Sequence, residues 1–103
     1  MNTTVGQLFS DPNQGRIAAD ILINLHFITE NNQEYSNGIV PWNVLLCRIT
    51  SEVVTMQEFF WYLSRLNNGR YIEFCSAGYD EEPANTIGIR FSTNGYKFER
   101  GEI

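Results

Sequence analysis

The sequence predicts a single α+β domain, residues 1–103, in which three N-terminal helices precede a small antiparallel sheet. The chain has 103 residues and is 43% hydrophobic, which is typical of one globular domain. Apolar residues recur at helical spacing before Gly69 and at every second position after it, which predicts helices followed by strands. The helix just before Gly69 also carries a start signal and a stop signal in its sequence.

Residues 1–10 are polar, and we expect them to form an arm or a short edge strand anchored by Val5, Leu8 and Phe9. Asp11 is then placed as the N-cap of a first helix with Pro12 at its first position, running to about Thr29. The main apolar face of this helix contains Ile17, Ala18, Ile21, Leu22, Leu25 and Ile28.

Ile23 and Phe27 lie on the other side of the first helix, four positions apart. Two apolar faces on one helix predict a second contact with the N-terminal arm, with a sheet or with a second copy of the chain, so a homodimer through these two residues is one hypothesis. A polar, turn-rich segment over residues 30–38 predicts a surface loop. A short helix follows over about residues 41–50, in which Trp42, Leu45, Leu46 and Ile49 have helical spacing.

The best-defined element is a helix over residues 55–67. Thr55 and Glu58 have the spacing of a capping box, and an Asn-Asn-Gly run predicts that the helix stops with Gly69 in the left-handed conformation. At about 100° per residue, one apolar stripe predicts a half-buried helix. The stripe is formed by Met56, Phe59, Phe60, Leu63 and Leu66. Trp61 lies nearly opposite the centre of the stripe, so it is either covered by the arm or the long loop or exposed to a partner.

Two strands are predicted over residues 70–77 and 86–92, because β-branched and aromatic residues alternate with other residues there. The loop between them, residues 78–85, carries three consecutive acids: Asp80, Glu81 and Glu82.

The end of the chain admits two interpretations. Asn94-Gly95 favours a hairpin that would pair Phe91 with Phe98 and Arg90 with Glu99. Ser92 or Thr93 as an N-cap would instead begin a terminal helical turn, and of the two we expect the hairpin.

Charge and residue inventory argue against several functions. The net charge of −5 disfavours general affinity for phosphate backbones and favours steering toward a partner with a basic surface. The one histidine (His26) and two cysteines (Cys47 and Cys75) cannot supply a four-ligand zinc site. Phosphate-binding glycine loops and nucleophile-elbow serines are also missing from the sequence. We therefore expect no enzymatic activity, no metal and no cofactor.

Location follows from the same inventory. The N-terminal stretch MNTTVGQLFS lacks the features of a secretory signal, and no segment approaches the roughly 20 apolar residues of a membrane span. We expect a cytoplasmic protein with no membrane association. In a reducing cytoplasm the two cysteines are expected as buried free thiols, with a single disulfide as the alternative.

The order of three helices and two strands joined by a loop, closing on the stretch IRFSTNGYKFE, resembles the winged helix-turn-helix fold. The resemblance covers about residues 12–98 and is to small prokaryotic and phage proteins of this kind. It implies that the 55–67 helix is the recognition helix, the 41–50 helix the one before it, and the acidic 78–85 loop the wing. Freestanding acidic proteins of this fold are often adaptors, assembly subunits or small phage-encoded inhibitors, so the resemblance implies a regulator.

The outer face of the 55–67 helix is the candidate site. It is predicted to bind another protein, because Trp, Tyr and Arg are the residue types enriched at binding hot spots. The residues proposed to contact the partner are Gln57, Glu58, Trp61, Tyr62 and Arg65. The alternative function is sequence-specific DNA binding by a winged-helix transcription regulator, with Arg65, Arg48 and Arg70 near the phosphates. An acidic wing at Asp80, Glu81 and Glu82 would oppose that function by repelling phosphates.

Overall fold

The computed structural model describes residues 5–49, 55–76 and 87–101, in which helices pack around a three-stranded antiparallel sheet. In chain order the elements are a 3-10 turn (Val5–Leu8), α1 (Pro12–Asn31), a 3-10 turn (Gln33–Tyr35), β1 (Val40–Pro41), α2 (Trp42–Arg48), α3 (Met56–Asn68), β2 (Ile72–Ser76), β3 (Ile87–Phe91) and α4 (Thr93–Glu99). The α+β class is confirmed. The predicted order is matched only roughly, because β1 precedes α2 and α4 follows the sheet.

The sheet has the order β1-β3-β2, so β3 is its central strand. Ile72 of β2 is opposite Phe91 of β3, and Val40 of β1 is opposite Ile89. Strand β1 was not predicted, because two residues are too short to show the alternation by which strands are recognised. Its Pro41 lacks a backbone donor and is tolerated here because β1 is an edge strand.

The hairpin predicted at Asn94-Gly95 is wrong, because this segment is part of helix α4. The Ser92 amide donates to the Tyr71 carbonyl (3.0 Å), and the Asn94 amide donates to the Arg70 carbonyl (2.8 Å). These bonds tie the chain to the start of β2, where α4 then begins. Long-range hydrogen bonds therefore outweigh the local turn signal.

The side-chain pairing predicted for the hairpin is replaced as well. Arg90 pairs with Glu73 on β2, with 2.6 Å between Nε and Oε1. Glu99 instead lies on α4 with its Oε2 2.7 Å from Nδ1 of His26, which links α4 to α1.

The predicted helix starts are confirmed at atomic detail. Asp11 caps α1 through its carboxylate, which accepts from the Asn13 amide at 2.9 Å, and Pro12 follows at the first position. Thr55 and Glu58 form the capping box of α3, with 3.1 Å between the Glu58 amide and Thr55 Oγ1.

The expected left-handed Gly69 is not found. Gly69 has φ −83°, whereas Arg70 takes the left-handed conformation at φ 62°. A Cβ on Gly69 would lie 2.8 Å from Leu8 Cδ1. The glycine therefore allows the N-terminal segment to approach the end of α3 closely.

Among the described residues, one hydrophobic core joins the N-terminal segment, helices α1, α2 and α3 and the three strands. Its members are Val5, Phe9, Ala18, Ile21, Leu22, Leu25, Ile28, Val40, Leu45, Ile49, Phe59, Tyr62, Leu63, Leu66, Tyr71, Ile72, Ile89 and Phe91. Met56, expected in the buried stripe of α3, is instead 57% exposed. It is the first residue of that helix, where the stripe has not yet reached the core.

Candidate functional site

The buried side of α3 fixes which residues face outward. Phe59, Tyr62, Leu63 and Leu66 are buried in the core. The outward face of the helix consequently carries the exposed residues Gln57, Trp61, Ser64, Arg65 and Asn68. Trp61 is the large hydrophobic residue at its centre.

Trp61 is held in place and only partly covered. Its ring centroid lies 5.8 Å from that of Phe9 and 5.0 Å from that of Tyr62, yet the residue remains 39% exposed. Phe9 itself is buried, which anchors the N-terminal segment against α3. The arm therefore covers part of the indole and leaves the remainder accessible.

Arg65 lies one turn after Trp61 on the same face. Its Cζ is 5.2 Å from the centroid of the Trp61 ring, within the range of a cation–π interaction. A guanidinium stacked in this way keeps its N–H groups along its edge, where a carboxylate can be bound in bidentate fashion. The pair thus offers an apolar surface beside a fixed positive charge.

These side chains form one wall of an open cleft of about 380 Å³, which we call the Trp61 cleft. It lies between the N-terminal segment, the first turn of α1 and helix α3. The cleft is lined by Gln7, Leu8, Phe9, Ser10, Gln14, Trp61 and Arg65. Within this described lining, Arg65 is the sole ionisable side chain, so the lining itself carries a positive charge in an acidic protein.

The structure separates the five residues predicted to contact a partner. Trp61 and Arg65 line the Trp61 cleft, and Gln57 is exposed on the same face. Tyr62 is only 5% exposed, so its placement on the outer surface was wrong; it supports the Trp61 ring from the core side. Glu58 is exposed, but its carboxylate accepts from the amide and hydroxyl of Thr55, so it serves the helix cap.

Sequence reasoning missed the other side of the cleft. Leu8 and Phe9 were predicted only as anchors, and Gln7, Ser10 and Gln14 were not predicted to contact a partner. Nothing in their local sequence marks these polar residues, because they meet α3 only after the N-terminal segment has folded against it. The proposed acidic wing, Asp80, Glu81 and Glu82, lies outside the described residues.

A second exposed apolar pair lies on α1. Ile23 and Phe27 are 55% and 44% exposed, opposite the buried face of their helix. Arg48 of α2 stacks on Phe27, with Cζ 4.3 Å from the ring centroid. Arg48 is thus engaged on α1 and does not line the Trp61 cleft.

The two cysteines are free, as expected, but their burial was predicted incorrectly. Cys47 is exposed and Cys75 is half-buried. Burial raises the pKa of the Cys75 thiol; the Arg90 charge opposes this shift and the Glu73 charge adds to it. Cys47 reaches solvent because it lies outside the apolar stripe of the short helix α2.

Across residues 5–49, 55–76 and 87–101, no three His, Cys, Asp or Glu side chains lie close enough together to hold a metal ion. In the same segments, no helix combines the length and the apolar character that crossing a membrane requires.

Comparisons with known protein families, with curated proteins and with solved structures gave no match to this chain.

Proposed function

We propose that this protein is a non-enzymatic protein-binding module whose partner docks on the outer face of α3, at the Trp61 cleft. The single observation that carries the proposal is the Trp61–Arg65 pair. The Trp61 indole is held by Phe9 and Tyr62 on one side, and the residue as a whole is 39% exposed.

An exposed indole held this way suits binding for an energetic reason. Association costs free energy for each side chain that must be ordered, so an anchor that is already fixed binds more tightly. Arg65 restrains the same ring from a further direction through its stacked guanidinium. Trp and Arg are also the residue types most often found at the centre of interfaces.

The fold supports the interpretation as a winged-helix-like regulator. Helices α1, α2 and α3 precede the antiparallel pair β2 and β3, which is the order that this resemblance requires. We accordingly propose a small cytoplasmic adaptor, regulator or inhibitor, of the kind found among prokaryotic and phage proteins, that acts by contact with another protein. Self-association through Ile23 and Phe27 remains a hypothesis, which sedimentation velocity of the wild type and of a Phe27→Ser variant would test.

The test is affinity capture from the native host, with nuclease treatment, using the wild-type protein and a Trp61→Ala variant. Loss of the indole should weaken partner binding by at least about 2 kcal/mol, the range of hot-spot residues. Because the ring is more than half buried and contacts Phe9 and Tyr62, we expect its loss also to lower the free energy of unfolding by about 2–3 kcal/mol.

Phe74→Ala is the matched control, since it removes an aromatic ring of nearly equal exposure, 40%, from β2, outside the Trp61 cleft. The control should retain the captured partner. Equal capture by the wild type and by folded Trp61→Ala would place the interface elsewhere and would contradict the proposal.

Sequence-specific DNA binding is the second candidate, favoured by the exposed Gln57, Arg65 and Asn68 along α3. Amide and guanidinium groups are the side chains that read base edges and contact phosphates. This function predicts affinity for duplex DNA that falls steeply with salt concentration. Electrophoretic mobility shifts at two salt concentrations would decide between the candidates, and nuclease-sensitive capture would favour DNA.

A further inference from the structure

We propose that the Trp61 cleft binds an acidic, apolar segment of the partner protein. In this arrangement a carboxylate of the segment pairs with Arg65, and a neighbouring aliphatic or aromatic side chain covers the exposed part of Trp61. The inference rests on the proposed function and adds to it the chemistry of the bound segment.

The charge of the cleft supports an acidic ligand. Arg65 is the one ionisable residue among the described side chains that line it, and its guanidinium is already oriented by Trp61. Two carboxylates close in sequence to lining residues, those of Asp11 and Glu58, keep their negative charge, but neither lines the cleft and each accepts hydrogen bonds at the start of a helix. Asp11 accepts from the Asn13 amide at 2.9 Å, and Glu58 accepts from the Thr55 hydroxyl at 2.9 Å.

The cleft is therefore opposite in sign to the molecule as a whole, which carries a net charge of −5. Exposed charges are screened beyond a Debye length of about 8 Å at physiological ionic strength. A carboxylate in direct contact with Arg65 interacts most strongly with that guanidinium, whereas the net charge acts mainly on the approach of the partner. An acidic segment in this cleft is therefore compatible with a partner that is basic overall.

The shape and lining of the cleft indicate that the bound segment must also carry an apolar side chain. Trp61 and Leu8 offer apolar surface, while Ser10 and Gln14 supply neutral hydrogen-bonding groups at the same site. The volume of about 380 Å³ is near the low end of the roughly 300–1,000 Å³ of ligand sites. It suits a few side chains of a short peptide segment.

The experiment is selection from a phage-displayed library of random twelve-residue peptides against the purified full-length protein. Four proteins are compared: the wild type, Trp61→Ala, Arg65→Glu and Arg48→Glu. Arg48→Glu is the matched charge control, because it makes the same change in net charge on a residue that does not line the cleft. Circular dichroism establishes that each variant is folded before selection.

We expect the wild type and Arg48→Glu to enrich peptides with Asp or Glu close to a large apolar residue. Arg65→Glu should lose these peptides or select Lys- and Arg-bearing ones, and Trp61→Ala should lose enrichment. For one synthesised acidic peptide, fluorescence anisotropy should give a Kd at least about tenfold weaker for Arg65→Glu than for the wild type. The wild-type affinity should fall as salt is added.

The experiment distinguishes a failure of the acidic-segment inference from a failure of the proposed binding surface. If the wild type enriches basic or uncharged peptides and Trp61→Ala loses them, the Trp61 cleft is a binding surface but its ligand is not an acidic segment. The same peptides selected equally by the wild type and Trp61→Ala would overturn both. No enrichment by the wild type, or tighter binding of a labelled oligonucleotide that depends on Trp61, would overturn the acidic peptide segment as the ligand.

Discussion

Gly95 lies where α4 crosses the start of β2, and its missing side chain permits that crossing. A Cβ at this position would collide with the Tyr71 carbonyl oxygen and lie 2.5 Å from Phe91 Cδ1. Helix propensity alone favours alanine over glycine by about 1 kcal/mol. We expect the collision to dominate, so Gly95→Ala should lower the free energy of unfolding by about 3 kcal/mol in urea denaturation.

Gly6→Ala is the control, because a Cβ at Gly6 would have no neighbour within 4 Å. Its free energy of unfolding should change by less than about 0.5 kcal/mol. A Gly95→Ala variant as stable as the wild type would show that α4 does not pack against β2 in this way.

Cysteine reactivity should also differ between the two thiols. Cys47 is exposed, whereas burial raises the pKa of Cys75 and lowers the fraction of reactive thiolate near neutral pH. In native protein we expect one fast and one slow reaction with a chromogenic disulfide reagent. The slow phase should accelerate as pH rises, and Cys47→Ser should remove the fast phase. Two phases of equal rate would contradict the burial of Cys75.

At the scale of the element, α3 depends on its capping box. Thr55→Ala leaves the Glu58 amide without its 3.1 Å acceptor, and we expect a loss of about 1 kcal/mol in the free energy of unfolding. Ser64→Ala is the matched control on the exposed face of the same helix. It should change stability by less than about 0.5 kcal/mol, and a Thr55→Ala variant equal to this control would argue against the cap.

The Thr55→Ala variant also separates stability from binding. Thr55→Ala should destabilise the protein while the folded fraction binds with unchanged Kd, because Thr55 does not line the Trp61 cleft. Binding depends on the outer face of α3 and on the N-terminal segment packed beside it, and not on the cap that starts the helix.

At the scale of the whole molecule, one hydrophobic core joins the N-terminal segment, α1, α2, α3 and the three strands. A shared core predicts cooperative two-state unfolding, with equal calorimetric and van't Hoff enthalpies. For a domain of about 100 residues we expect an unfolding enthalpy of about 60–80 kcal/mol at the melting temperature. Differential scanning calorimetry checks this, and two resolved transitions would divide the chain into separate units.

Local sequence determined the elements that are long or that carry their own boundary signals. Asp11 and Pro12 start α1, and Thr55 with Glu58 starts α3, because the groups that cap a helix lie within a few residues of each other. The switch to a period of two after Gly69 likewise predicted β2 and β3. Helical spacing placed Trp61 on the outer face of α3, and the structure decided that the N-terminal segment covers only part of it.

Only the tertiary structure decided the remainder. Strand β1 exists because β3 pairs with it, and Asn94-Gly95 became helical because the Ser92 and Asn94 amides bond to the start of β2. The Trp61 cleft needs residues from the N-terminal segment and from α3, which are some fifty positions apart in the chain. Such contacts depend on how whole elements pack, so the spacing of residues within one element does not reveal them.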